Sequence, residues 1–206
     1  MCYMNNSIGK LVVVTGFSGA GKDTLINMLL QKRSDFDLVV THSTRPQRPG
    51  EIPGVHHHFV NYREFQTLIQ RGKMLEYVKY GSFYKGTSKE AFNKIFDGKN
   101  LIWRVDLLRA ATYKETFSQV FDEKTSETLC KKSVNLLIKT PSYRSALSRY
   151  IKRDRENPDI KEFEKRLQRD ISLYNKYKDR FQHVIVNKTG KINDSLAEME
   201  SIINST

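Results

Sequence analysis

The sequence predicts an α/β protein with a mostly parallel sheet, and three observations carry that prediction. Short apolar runs with strand character recur at residues 10–15, 101–105, 134–138 and 183–186. Helical segments separate them, so successive strands are joined by crossovers rather than tight hairpins. A glycine-rich loop lies between the first run and the first helical segment, in the order strand, loop, helix.

The elements follow in order. Residues 10–15 (KLVVVT) form a strand ending at Gly16, and helix-forming residues resume over 24–30. Residues 42–58 hold Pro46, Pro49, Pro53, Gly50 and Gly54, which predicts an irregular loop region with functional character. Asn61 with Glu64 is a capping box for a helix through Phe65, Leu68 and Ile69 that Gly72 stops. Thr87 with Glu90 repeats the start signal, and Gly98 closes that second helix. Residues 112–132 are polar and featureless, assigned only a helix end and a loop. Residues 147–177 read as a charged, solvated helical region interrupted at Asn157-Pro158.

With 206 residues, 38% hydrophobic, the chain can bury one sizeable core. A mean hydropathy of -0.57 and 28% charged residues describe a polar surface, and no apolar run approaches the ~18 residues of a membrane helix. The net charge of +12 favours phosphate-bearing partners without choosing among nucleic acid, membrane and nucleotide. Cys2 and Cys130 make no disulfide framework and the first ten residues no apolar leader, so the expected location is cytoplasmic.

Gly16, Phe17, Ser18, Gly19, Ala20, Gly21 and Lys22 have the glycine, four residues, glycine and lysine of a phosphate-binding loop. Backbone amides of such a loop converge on a polyphosphate, the following helix offers its positive end, and Lys22 reaches the terminal phosphates. Where the motif has Ser or Thr on magnesium, Asp23 stands, followed by Thr24. Metal can be held by Asp23 directly, through water, or by Thr24. Further on, Arg45 and Arg48 stand three apart in Thr44-Arg45-Pro46-Gln47-Arg48-Pro49-Gly50-Glu51 and can fork onto a phosphate, or can simply be solvated. His56, His57 and His58 alternate sides along an extended segment, which favours phosphate or solvent contact over a shared metal.

The glycine loop, STRPQRPGE, the run KMLEYVKYGSFYKGTSKE and the late VIVN together resemble the guanylate kinase family, in that family's order and over nearly the whole chain. The resemblance implies a P-loop, three-layer α/β/α fold with a parallel core sheet, an inserted region for a nucleoside monophosphate, and a lid. One domain is expected, with a core at about 8–38, 98–147 and 170–206, the monophosphate region at about 39–97 and the lid at about 148–169. It implies ATP as co-substrate with Mg2+, GMP as acceptor, no nucleic-acid or membrane partner, and a monomer or homodimer. By position, Arg45 and Arg48 match the arginines on the GMP phosphate, and Thr41, Glu76, Thr87 and Asp106 match the guanine surroundings. A carboxylate such as Glu76 can accept from both N1–H and the amine of guanine, whereas adenine has no N1 proton. Arg149, Arg153 and Arg166 match the lid arginines, with Asp154 and Arg155 as extra residues between and Arg155 as an alternative to Arg153. Asn187 matches a place beside the adenine end of ATP, although an Asn after a strand is often only a cap.

Several positions depart from that family's pattern. His57 and Lys85 stand where the family has phosphate-binding tyrosines, Arg104 replaces an acidic residue, Leu108-Arg109 replaces Gln-Gly, and residues 106–134 form a longer stretch. Asp23 also resembles the ribose 1,5-bisphosphate phosphokinases, which keeps a sugar-phosphate acceptor as an alternative. A guanylate-kinase-like scaffold without catalysis, and a basic nucleic-acid binder, are the other classes considered. The intact Gly21-Lys22 favours an enzyme.

Overall fold

The computed structural model describes residues 8–153 and 158–205. Cys2, Asp154, Arg155 and Asn157 lie outside the described residues, as does the side chain of Arg153. In chain order, β1 (Leu11–Gly16) is a β-branched run ending in glycine, and α1 (Lys22–Lys32) follows the loop. Three short strands come next: β2 (Phe36–Leu38), β3 (Thr41–Ser43) and β4 (His57–Phe59). α2 (Tyr62–Gln70) begins with the reciprocal Asn61/Glu64 cap. β5 (Met74–Tyr80) and β6 (Phe83–Ser88) form a hairpin, followed by a 3-10 turn at Lys89–Phe92, α3 (Asn93–Phe96) and β7 (Asn100–Arg104). The remainder is α4 (Leu107–Ala111), α5 (Tyr113–Val120), α6 (Glu123–Lys131), β8 (Ser133–Lys139), α7 (Tyr143–Arg153), α8 (Ile160–Tyr177), β9 (His183–Val186) and α9 (Ile192–Ser205).

The core is a parallel five-stranded sheet in the order β2-β7-β1-β8-β9, with β8 and β9 paired Leu136 to His183 through Lys139 to Val186. Leu11, Val12, Val13 and Val14 are fully buried, as are Leu136, Leu137 and Ile138, the pattern of strands covered on both faces. A second sheet has the order β4-β3-β6-β5. There β3 and β4 are parallel, while β6 runs antiparallel to both β3 and β5.

The chain divides into two compact units. One takes the residues to Leu11, Phe36–Leu101 and Lys114–Lys132 and contains the second sheet. Its apolar interior includes the edge-on aromatic set Phe92, Phe117 and Phe121. The other takes Val12–Asp35, Ile102–Tyr113 and Ser133 onward. In it α7 and α8 pack through Ala146, Tyr150, Phe163 and Leu167, with Tyr150 stacked on Phe163 at 4.6 Å between centroids.

Three sequence expectations are corrected. The second sheet was not anticipated, because its strands are short or polar: THS, HHF and FYKGTS carry no clear alternation. Thr87 does not cap a helix; it is fully buried in β6, its hydroxyl donates to Glu76, and Ser88 precedes the turn without a side-chain cap. Glu90 instead pairs with Lys73 at 2.5 Å. Residues 112–132 are two helices rather than a helix end and a loop. α5 is anchored by buried Tyr113 and Phe117, and α6 is capped by Asp122, which accepts from Thr125.

Candidate active site

The glycine loop closes on itself and is braced from outside. Phe17 accepts the Ala20 amide at 3.0 Å, turning the chain before α1. Gly19 and Gly21 have φ of 78° and 80°, the left-handed region open to glycine, and a Cβ would lie 2.6 Å from Ala146 O at the first and 2.8 Å from Asn187 Nδ2 at the second. The Ala20 carbonyl accepts from Asn187 Nδ2 at 2.9 Å and Arg149 Nη1 at 3.2 Å. In a trans peptide the carbonyl and the next amide point opposite ways, so holding Ala20 O toward Asn187 and Arg149 turns the Gly21 N–H away from them. A glycine loop whose peptide planes are fixed in this way is suited to receive an anion on its backbone amides.

Asn187 is 2% exposed and works as a strut. Besides holding Ala20, its Oδ1 accepts from Ser195 Oγ at 3.4 Å, its amide donates to Lys139 O, and its carbonyl accepts from Arg149 Nη2 at 2.9 Å. Arg149 therefore spends its fork on two backbone carbonyls beside the loop, and burial pushes its pKa down. Ser18 is tied by Asp170 of α8, whose Oδ2 accepts from the Ser18 amide at 2.8 Å and its hydroxyl at 3.0 Å. Burial raises the Asp170 pKa against the opposing pull of those two hydrogen bonds. Sequence reading missed Asp170, since one acid within a densely charged helix carries no signal of its own.

At the head of α1, Lys22 Nζ donates to Asp23 Oδ1 at 3.2 Å, and Arg104 Nη1 donates to the same oxygen at 2.9 Å. Desolvation works to raise the Asp23 pKa, and the two cations outweigh it, leaving the carboxyl far below its usual range. Thr24 follows on the exposed side of the first turn. Asp106 caps α4, accepting the Arg109 amide at 3.0 Å. Arg166 is exposed on α8, one turn before Asp170, with Nε 2.9 Å from Glu162.

In the other unit the predicted acceptor residues form three small sets. Arg45 forks onto Glu51 at 2.7 and 2.5 Å, and the Arg48 amide donates to the same carboxylate at 2.8 Å. The hydrogen bond from Arg45 leads in holding Glu51 down to about 2. Thr41 and His57, both buried, meet across the β3/β4 pair with Oγ1 to Nδ1 at 2.8 Å, and the His57 ring stands edge-on to Phe59. Glu76 of β5 accepts from the Thr87 hydroxyl of β6 at 2.7 Å. Lys85 lies on β6 opposite Ser43 and Val78. Glu51 was legible only as part of a motif; its bond to Arg45 was not.

Comparison with known proteins gives these arrangements a context. A protein-family model described as guanylate kinase matches residues 8–206. A guanylate kinase of Clostridium perfringens (strain SM101 / Type A) is 33% identical over 202 residues, covering 96% of this chain and 84% of that one. One from Synechococcus sp. (strain JA-3-3Ab) is 31% identical over 196 residues, covering 95% and 82%. Among solved structures, a guanylate kinase from Anaplasma phagocytophilum superposes with a TM-score of 0.65 at 20% identity, covering 98% of this chain and 88% of that one, a likeness of fold.

Proposed function

The chain belongs to the guanylate kinase family, and from that premise we propose that it transfers the γ-phosphoryl group of ATP to GMP, giving ADP and GDP. The observation that carries the enzymatic reading is the braced loop: Ala20 O is held outward by Asn187 and Arg149, with Lys22 at the head of α1. A binding scaffold has no need of that cradle.

A phosphate monoester's second pKa is near ~6, so an oxygen of GMP is already ionised at neutral pH and attacks the γ-phosphorus in line without a general base. The residues' task is positioning and charge neutralisation. In this reading Gly16, Ser18, Gly19, Ala20 and Gly21 wrap the donor phosphates and Lys22 follows the charge that moves to the leaving ADP. Arg45 and Arg48 orient the acceptor phosphate, with His57 and Lys85 in the places of the family's tyrosines. Glu76, with Thr87, Thr41 and Asp106, selects guanine. Arg149 stiffens the donor loop, while Arg153 and Arg166 supply charge from the lid, Arg166 by exchanging Glu162 for phosphate. The domain, lid and monophosphate-region boundaries are part of the same proposal.

The donors at the loop fit a hard divalent cation: Asp23 presents a half-exposed carboxylate and Thr24 a hydroxyl in the first turn of α1. Mg2+ held there with the nucleotide's oxygens would withdraw charge from the transferring phosphoryl group. No described helix is long and apolar enough to cross a membrane; the cytoplasmic reading and a role in purine nucleotide supply rest on cysteine usage and on family membership.

The test is an ADP-release assay across GMP, dGMP, AMP, UMP, CMP and ribose 1,5-bisphosphate. A guanine monophosphate should lead by at least ~100-fold in kcat/KM, the scale of hydrogen-bonded base discrimination. Preference for ribose 1,5-bisphosphate would replace GMP as the acceptor, and no transfer to any of them would leave a binding domain.

A further inference from the structure

An aspartate in the first turn of the phosphate-loop helix is a contradiction in charge. While the loop is empty, Asp23 is well placed, since a carboxylate at a helix N-terminus meets the positive end of the dipole. It then competes with the polyphosphate for that end, and it holds Lys22, the cation that should meet the nucleotide, at 3.2 Å. Arg104 answers both problems. It ends β7, its side chain is 23% exposed, and its Nη1 is 2.9 Å from the oxygen that Lys22 also uses.

We infer that Arg104 is a positioning residue of the nucleotide site: it keeps the Asp23 carboxylate when Lys22 leaves for the phosphates, and cancels the negative charge that Asp23 would otherwise set against them. Two cations share one carboxylate oxygen in the free protein, and nucleotide binding divides them, Lys22 to the phosphates and Arg104 to Asp23. Arg104 therefore acts through Asp23 and not by touching the substrate. The inference rests on the phosphotransferase reading only in requiring that the loop take a nucleotide.

The experiment is a double-mutant cycle on binding of a fluorescent ADP analogue in EDTA, so that no metal enters, with wild type, Arg104→Met, Asp23→Ser and the double variant. Arg104→Met should weaken binding by about 10-fold, which corresponds to about 1.4 kcal/mol. Asp23→Ser should bind as well as wild type or better, and the double variant should stay within about 3-fold of Asp23→Ser. Arg104→Lys, which keeps the charge without the fork, should recover most of the loss. In turnover with Mg2+, KM for ATP should rise more than KM for GMP in Arg104→Met. Circular dichroism melts accompany each variant; if Arg104→Met does not fold, Arg104→Gln takes its place in both the single and the double variant.

An equal loss from Arg104→Met with and without Asp23 would overturn the inference, because the arginine would then act independently of the carboxylate. So would an unchanged affinity in Arg104→Met. Failure of the acceptor reading is separate: a wild-type protein that binds the analogue and shows the coupling but does not phosphorylate GMP loses its proposed acceptor and keeps Arg104's role.

Discussion

The glycine loop and the arginine loop are built on opposite principles. Around Gly16–Lys22 the stabilising contacts come from distant sequence: Asn187, Arg149 and Asp170 all reach into it from the later part of the chain. Around Arg45 and Arg48 the main contacts come from within: Glu51, six residues from Arg45, accepts from its fork and from the Arg48 amide. Ile52 and Val55 beside it are 56% and 54% exposed, and a Cβ on Gly50 or Gly54 would meet nothing within 4 Å. The glycine loop is held by contacts from the rest of the fold, and the arginine loop holds Arg45 with its own Glu51 carboxylate. On the proposed reading the braced loop gains little by rearranging, whereas Arg45 meets its acceptor either with Glu51 still orienting it or in exchange for Glu51.

The sharpest test removes the charge at the centre of the braced loop. Lys22→Ala should lower kcat by about 10³-fold or more with an unchanged melting temperature, because the backbone cradle survives. Near-normal turnover would end the donor-site assignment. Arg45→Ala should cost about 100-fold in kcat/KM for GMP while leaving ATP affinity within about 2-fold. Equal damage to both substrates would mean the two loops are not separate devices.

Breaking the long-range brace is the next largest effect. Asn187→Ala leaves Ala20 O without one buried donor, which should cost about 2 kcal/mol, or about 4–8 °C in melting temperature, and raise KM for ATP about 10-fold. A lower melting temperature with unchanged KM would show that Asn187 supports the fold and not the loop. On the locally held side, Glu51→Gln should raise KM for GMP about 5-fold through loss of Arg45 orientation, with little change in stability. A fall in KM instead would identify Glu51 as a competitor of the acceptor phosphate.

The smallest effect concerns the second sheet. Burial, then the charge of neighbouring His58, pushes the His42 pKa down to about 4, against a weaker opposing pull from Glu90. Between that value and the ordinary 6.5, the unfolded chain binds a proton that folded His42 refuses. Stability from this group is thus full above about pH 6.5 and lost as pH falls toward 4. The ring is only partly buried, which limits the loss to about 1 kcal/mol. Hydrogen exchange should show it in β3 and β4 and not in the glycine loop, and His42→Phe should flatten the profile.

What could be read from sequence follows the same division. Strands β1, β7 and β8 announce themselves because burial on both faces demands apolar runs, the edge strand β9 by its short HVIV run, and the glycine loop because its backbone angles demand glycine. Strands such as β3 and β4 hide, since three residues with a histidine among them show no period. The residue types of the candidate site could be named from sequence, but their partners could not. Nothing local says that Asn187 faces Ala20, that Asp170 takes Ser18, or that Thr87 spends its hydroxyl on Glu76 and not on a helix. Arg104 was visible as a misfit, and its meaning came only with the Asp23 distance.

The distances along the chain have a consequence for the order in which the protein is made. Arg149, Asp170 and Asn187 stand 129, 152 and 167 residues from the loop positions they hold. Emerging from a ribosome at roughly 5–20 residues per second, the glycine loop waits about 10–30 s for its last strut. Through that interval the nascent chain carries the phosphate loop's residues without the contacts that aim its amides. A chain arrested before β9 can have finished the hairpin of β5 and β6, whose partners are near neighbours, and still present no cradle. The bracing of the glycine loop therefore waits for β9, although the loop's own residues are translated well before it.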